Sequence, residues 1–320
     1  MKIGIWGNDP DLSTIIRRCR AADVASITIG PEAIPGYRKN GYLDADQLHK
    51  VVAELKSEGI KVPAFFGSMG SDPVMLLSPN SRKNAIERDL SVIHALGHAG
   101  IEVLINYVHT PAPMDPSDDE PLWEGLLTLL ERYVVEAETA NVRIANHGIW
   151  KCLPEPLLTE ARVQELKGQD YRTYRREGWI GPFLVRTVDQ IRRMIDAVPS
   201  PNNGICLCTG MYITGGDPAS EVELFGNRVH FVQIRDVSGG YWPNSDEVFP
   251  GKGDLNFFEI VRRLITTEYE GYAHAEHLGP ARLEYKPLDD NFENSELEIA
   301  AAAYLKALVN AAESSLATTE

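Results

Sequence analysis

The stretch Asn203–Val237, NGICLCTGMYITGGDPASEVELFGNRVHFVQIRDV, decides the reading of the fold. It holds two short apolar runs, Gly204–Leu207 and Val229–Ile234, rich in residues that favour strands covered on both faces. A helical segment fits between them, as a parallel crossover requires. The same alternation extends in both directions. Strands are expected at Lys2–Trp6, Ser26–Ile29, Val62–Phe66, Glu102–Tyr107 and Val142–Asn146 before this stretch, and at Tyr272–Glu276 after it.

Helices fill the intervals. Asp44–Glu58 opens on a capping Asp and stops before Gly59, and Ser81–Ala99 opens on a capping Ser and stops before Gly100. Glu120–Ala140 sets Leu126, Leu127, Leu130, Val134 and Ala137 on one face. An alanine-rich helix covers about Ser295–Ser314. Eight strands, each followed by a helical segment, predict an α/β fold, a single (β/α)8 TIM barrel spanning residues 1–320. A doubly wound open sheet is the alternative, but GNDPDLS after the first strand lacks the G-x-G-x-x-G of a dinucleotide fold. No nucleotide cofactor is therefore expected. One connection is long, Trp150–Arg186 after strand five, and it carries Arg172, Arg175 and Arg176. It reads either as a solvated helical excursion or as a lid that brings positive charge to an anionic substrate. The tail Ser314–Glu320 is expected to fray.

Composition narrows the function. The chain has 31 basic and 46 acidic residues, a formal net charge of −15, which argues against a nucleic-acid partner. Apolar residues make up 43% of the chain, enough for a large core. Four cysteines, Cys19, Cys152, Cys206 and Cys208, are no disulfide framework. No apolar run approaches the roughly 20 residues of a membrane span. A soluble cytoplasmic protein is expected.

A TIM barrel keeps its active site at the C-terminal ends of the strands. Four successive strands here end in possible metal ligands: His147 on strand five, Cys208 on six, Gln233 on seven and Glu276 on eight. Mixed N, S and O donors suit Mn2+, Fe2+, Co2+ or Zn2+ better than Mg2+ or Ca2+. Each has a bland reading: a loop histidine, a small buried thiol, a polar strand residue. A lone buried carboxylate such as Glu276 is costlier to explain away. On strand seven a period of two puts His230, Val232 and Ile234 on one face and Phe231, Gln233 and Arg235 on the other. Val and Ile suit the helix side, so Gln233 and Arg235 are expected to face the axis. His230 is then a packed residue, or the alternative ligand if the strand is turned the other way. Cys206 is expected to pack against a neighbour. His274 shares a face with Glu276 and is read as supporting it from below. Trp6, Asn8, Asn106, Tyr107 and His109 follow strands one and four and are candidates to line the mouth. In PGKGDLNFFEI (Pro250–Ile260), which is no P-loop, Asp254 is expected to cap the helix after strand seven.

On these residues the chain resembles the mannonate dehydratase family of the xylose-isomerase-like barrels. The resemblance rests on C-T-G, R-D-V and E-H-x-G in order within Asn203–Val237 and GYAHAEHLGPARLEY. LWEGLLTLLERYVVEAETANVRIANH and AGIEVLINYVHTPAPMDPSD add to it. The family implies one divalent metal, usually manganese, and removal of water from a sugar acid to give a 2-keto-3-deoxy acid. It also implies a small anionic carbohydrate substrate and assembly as homo-oligomers. Carried over, His147, Cys208 and Glu276 match metal ligands, and the family's strand-seven histidine falls on Gln233. A cousin barrel, hydroxypyruvate isomerase, has glutamine there. His277 inherits an acid or base role, Arg235 matches the family arginine, and Tyr285 is nearest to the family's late tyrosine. Arg175 and the mouth residues Trp6, Asn106 and His109 would bind substrate. The family's His-Pro-Asp-Asp after strand five reads Asn146-His147-Gly148-Ile149-Trp150 here. Two further readings stand beside a dehydratase: an isomerase or epimerase working through an enediolate, and a barrel that binds a sugar acid without turnover.

Overall fold

The computed structural model describes residues 1–70, 72–112, 119–148, 183–214, 216–240, 246–278 and 295–317. The first strand, β1, is one run in two halves, Lys2–Ile3 and Ile5–Gly7. It is followed by β2 (Ile27–Ile29), β3 (Ala64–Gly67), β4 (Val103–Tyr107), β5 (Arg143–His147), β6 (Asn203–Cys208), β7 (Val229–Ile234) and β8 (Tyr272–Ala275). Every neighbouring pair in this sheet is parallel. The first half of β1 pairs with β8 and the second half with β2, so the sheet closes on itself. The change of partner occurs at Gly4, where a Cβ would lie 2.9 Å from the Ser26 carbonyl oxygen. Only glycine lets the backbones approach this closely.

A helix follows each strand: α1 (Leu12–Ala21), α2 (Ala45–Ser57), α3 (Pro79–Ala99), α4 (Glu120–Ala140), α5 (Val188–Ala197), α6 (Pro218–Phe225), α7 (Phe257–Thr266) and α8 (Ser295–Ala317). Short turns at Tyr37–Asn40 and Pro73–Leu77 precede α2 and α3. Local chemistry sets the ends. Asp44 caps α2 through the Gln47 N–H, and Thr187 and Gln190 form a reciprocal capping box on α5. Three expectations are corrected. The cap of α3 is Ser78 rather than Ser81, because Pro79 takes the first helical position, where no backbone N–H is needed. The cap of α7 is Asn256, while Asp254 accepts from the Gly240 N–H. The last helix runs on to Ala317 rather than fraying from Ser314, since alanine-rich sequence favours helix.

Two layers of core hold the barrel. Ala64, Val103, Ile105, Ala145, Cys206 and Phe231 fill the interior of the sheet. A larger shell of Ile, Leu and Val lies between strands and helices. The barrel is clasped where its ends meet: Arg18 on α1 donates to Glu298 on α8 at 2.7 and 3.0 Å and to the Trp6 carbonyl at 2.7 Å. Among the described residues, no helix is long and apolar enough to cross a membrane.

Candidate metal centre

Strand register brings the expected ligands to one level. Tyr107 on β4 pairs with His147 on β5, and Cys208 on β6 pairs with Gln233 on β7. Glu276 follows β8 and is held by its backbone N–H on the Ile234 carbonyl at 2.9 Å. One ligand atom each from His147, Cys208 and Glu276 lie within 4.8 Å of one another. Cys208 Sγ approaches Glu276 Oε1 at 3.5 Å.

Three polar atoms of the expected ligands lack the partners that buried groups normally have. Both ring nitrogens of His147 and the Oε1 of Gln233 are buried with no hydrogen-bond partner among the described residues. The Nε2 of Gln233 donates to the Tyr107 hydroxyl at 2.7 Å, which aims the amide. These orphaned donors fit a divalent cation, whose coordination would satisfy them together. Electrostatics agree. Burial pushes the His147 imidazole down to about 4, so the ring is neutral and ligand-competent at pH 7. Burial also pushes the Cys208 thiol up, with the Glu276 charge adding to it. A cation would reverse that and favour thiolate. Burial raises the Glu276 carboxyl, but His277, Arg235, His147 and His274 outweigh it and leave it below the usual range.

The C-T-G sequence after β6 has a physical account. Cys208 points to the centre. The Thr209 hydroxyl accepts from the Arg235 N–H at 2.8 Å and donates to the Arg235 carbonyl at 2.7 Å. A Cβ on Gly210 would lie 2.5 Å from Arg235 Cδ, so glycine makes room for the arginine stem. Arg235 itself pairs with Glu247, whose other carboxylate oxygen faces His277 Nδ1 at 3.2 Å.

The remaining expected residues divide. His274 faces the axis between the rings of Phe66 and Phe231, with Nε2 3.5 Å from Gln233 Nε2 and Nδ1 3.3 Å from Thr28 Oγ1. His109 stacks on Tyr107, whose ring lies 4.4 Å from that of His147. Trp6 packs edge-on against Phe66, and its buried Nε1 has no hydrogen-bond partner among the described residues. Two expectations change. Asn106 turns away from the axis and accepts from the Met69 N–H at 2.8 Å, because its neighbour Tyr107 takes the inward position. His230 is on the helix side, 3.0 Å from the carbonyls of both Ile144 and Pro201, and is no alternative to Gln233. Cys206 packs in the barrel interior as expected, and because β6 extends to Cys208 the two share a face. Arg172, Arg175, Arg176 and Tyr285 lie outside the described residues, as does most of Trp150–Arg186. Glu247 is the residue that sequence reading missed, for it reaches the site only through tertiary folding.

The model of the xylose isomerase-like TIM barrel family matches residues 16–295. The chain belongs to this family. Among curated relatives, mannonate dehydratase of Saccharophagus degradans is 34% identical over 100 residues, 30% of this chain and 24% of that protein. Mannonate dehydratase of Thermotoga maritima is 27% identical over 170 residues, 50% of this chain and 40% of that protein. The match thus spans less than half the length of these relatives. Among solved structures, mannonate dehydratase from Streptococcus suis serotype 2 superimposes with a TM-score of 0.74 at 16% identity, covering 99% of this chain and 95% of that one. L-ribulose 3-epimerase gives 0.66 at 14%, covering 100% and 98%. The IolI protein with a binding zinc atom gives 0.68 at 15%, covering 97% and 98%. At such identities these likenesses concern the fold.

Proposed function

We propose that the protein is a metal-dependent hydro-lyase that removes water from a sugar acid to give a 2-keto-3-deoxy acid. The carrying observation is the cluster of His147, Cys208 and Glu276 within 4.8 Å, beside the orphaned Oε1 of Gln233. Those four residues would hold the metal, manganese by family resemblance, with iron, cobalt or zinc also suited to the donors. Bound there, the metal would supply Lewis-acid polarisation of the substrate's carboxylate or C2 oxygen, acidifying the C2 proton.

The chain's own groups account for the rest. Arg235 offers a planar fork that suits a carboxylate. His277 is the residue to move protons, taking the C2 proton or giving one to the departing C3 hydroxyl. Loss of that proton and of the hydroxyl, which leaves as water, gives an enol that becomes the 2-keto acid. The Trp6 N–H and His109 would bind substrate hydroxyls, and Tyr285 and Arg175 stay as proposed participants. The mannonate dehydratase relatives support this reading.

The test incubates manganese-loaded protein with a panel of aldonic acids and assays 2-keto-3-deoxy acids. Product from at least one acid is expected. No product across the panel, with metal bound, overturns the reading. A second reading, isomerisation or epimerisation through an enediolate, is favoured by Gln233 and by the epimerase among the fold relatives. Solvent deuterium entering the substrate without loss of water would select it.

A further inference from the structure

We infer that Glu247 is a positioning residue of this centre, fixing Arg235 and His277 together through one carboxylate. The inference rests on the proposed roles of those two residues. Glu247 lies on the short strand Asp246–Val248, which folds back antiparallel to Asp236–Ser238, with Glu247 opposite Val237. Arg235 joins β7 to Asp236–Ser238, so this antiparallel pairing returns Glu247 over that arginine.

Each carboxylate oxygen has its own partner. Oε1 accepts from Arg235 Nη2, and Oε2 lies 3.2 Å from His277 Nδ1. The carboxylate cannot rotate without giving up one of them. The Arg235 side chain is 4% exposed, so its pairing is shielded from water and from salt. His277 adopts a φ of +48°, a left-handed conformation unusual for a residue with a Cβ. Such a conformation costs energy and persists where surroundings hold it, commonly at functional sites.

The chemical consequence is a choice of tautomer. A carboxylate only accepts, so the proton of a neutral His277 ring belongs on Nδ1 and its lone pair on Nε2. Glu247 thereby sets which nitrogen of His277 is the base.

The test compares Glu247→Gln and Glu247→Asp in the full-length, zinc-loaded protein. A glutamine amide has one acceptor, which Arg235 claims, leaving its NH2 toward Nδ1. Nitrogen-15 NMR of the His277 ring, assigned with His277→Asn, should then show the proton move from Nδ1 to Nε2. Metal content should stay unchanged. On any acid turned over, kcat should fall by about tenfold or more while KM stays within about threefold. Glu247→Asp should keep the wild-type tautomer and recover part of kcat. An unchanged tautomer in Glu247→Gln overturns the inference whatever the kinetics. If the wild type turns over no acid, the proposed function fails, and the NMR comparison still decides the role of Glu247.

Discussion

Thr209 offers a direct test of how the strand ends are built. Its hydroxyl, fully buried, satisfies both the N–H and the carbonyl of Arg235. Thr209→Val keeps the volume and removes both bonds. Leaving a buried polar group unpaired costs about 1–3 kcal/mol, so two backbone groups together lose ~2–6 kcal/mol. Unfolding entropy of about 2.1 cal/mol/K per residue gives ~0.7 kcal/mol/K for a chain of 320 residues. The melting temperature should therefore fall by about 3–9 °C. Thr209→Ser keeps the hydroxyl and loses one methyl, worth about 1 kcal/mol, so it should melt within about 2 °C of wild type. Thermal unfolding followed by circular dichroism, at one metal concentration, compares the three. If Thr209→Val melts with wild type, or Thr209→Ser melts below Thr209→Val, the bridge to Arg235 is not what Thr209 contributes.

Glu221 makes stability depend on pH. Burial, helped by Asp217, pushes its carboxyl up to about 7 from 4.5. A raised carboxyl gives stability that is fully present below pH 4.5 and lost as pH rises through about 7, amounting to ~3 kcal/mol. Glu221→Gln should match wild type in denaturant unfolding near pH 4.5 and exceed it at pH 8; equal stability at pH 8 would falsify this. At the barrel closure, Glu298→Ala takes the carboxylate from the Arg18 guanidinium, whose side chain is 7% exposed, and should cost about 3–5 kcal/mol. Urea unfolding measures it, and a loss under about 1 kcal/mol would show that the clasp is not holding α8.

Much of the fold was legible because strand and helix signals agreed locally. β7 and α4 fall on the residues expected, Val229–Ile234 and Glu120–Ala140. The period of two on β7 also gave the facing of Gln233, since Val232 and Ile234 needed the helix side and so turned the amide inward. The same argument, applied to β4, would have shown that Asn106 and Tyr107 cannot both face the axis. The Ser78-Pro79 pair carried the start of α3, and its proline signal outweighs the later serine. Glu247 had no local signature. A glutamate in a polar stretch looks like solvent-facing charge until the hairpin folds it onto Arg235 and His277.

Everything proposed for this protein depends on His147, Cys208, Gln233 and Glu276 holding one metal together. The most direct measurement is the metal content of protein purified without chelator, by mass spectrometry of its elements, repeated on Cys208→Ala and Gln233→Ala. Close to one divalent transition metal per chain is expected in the wild type, with a large loss in both folded variants. Undiminished metal in both would contradict it.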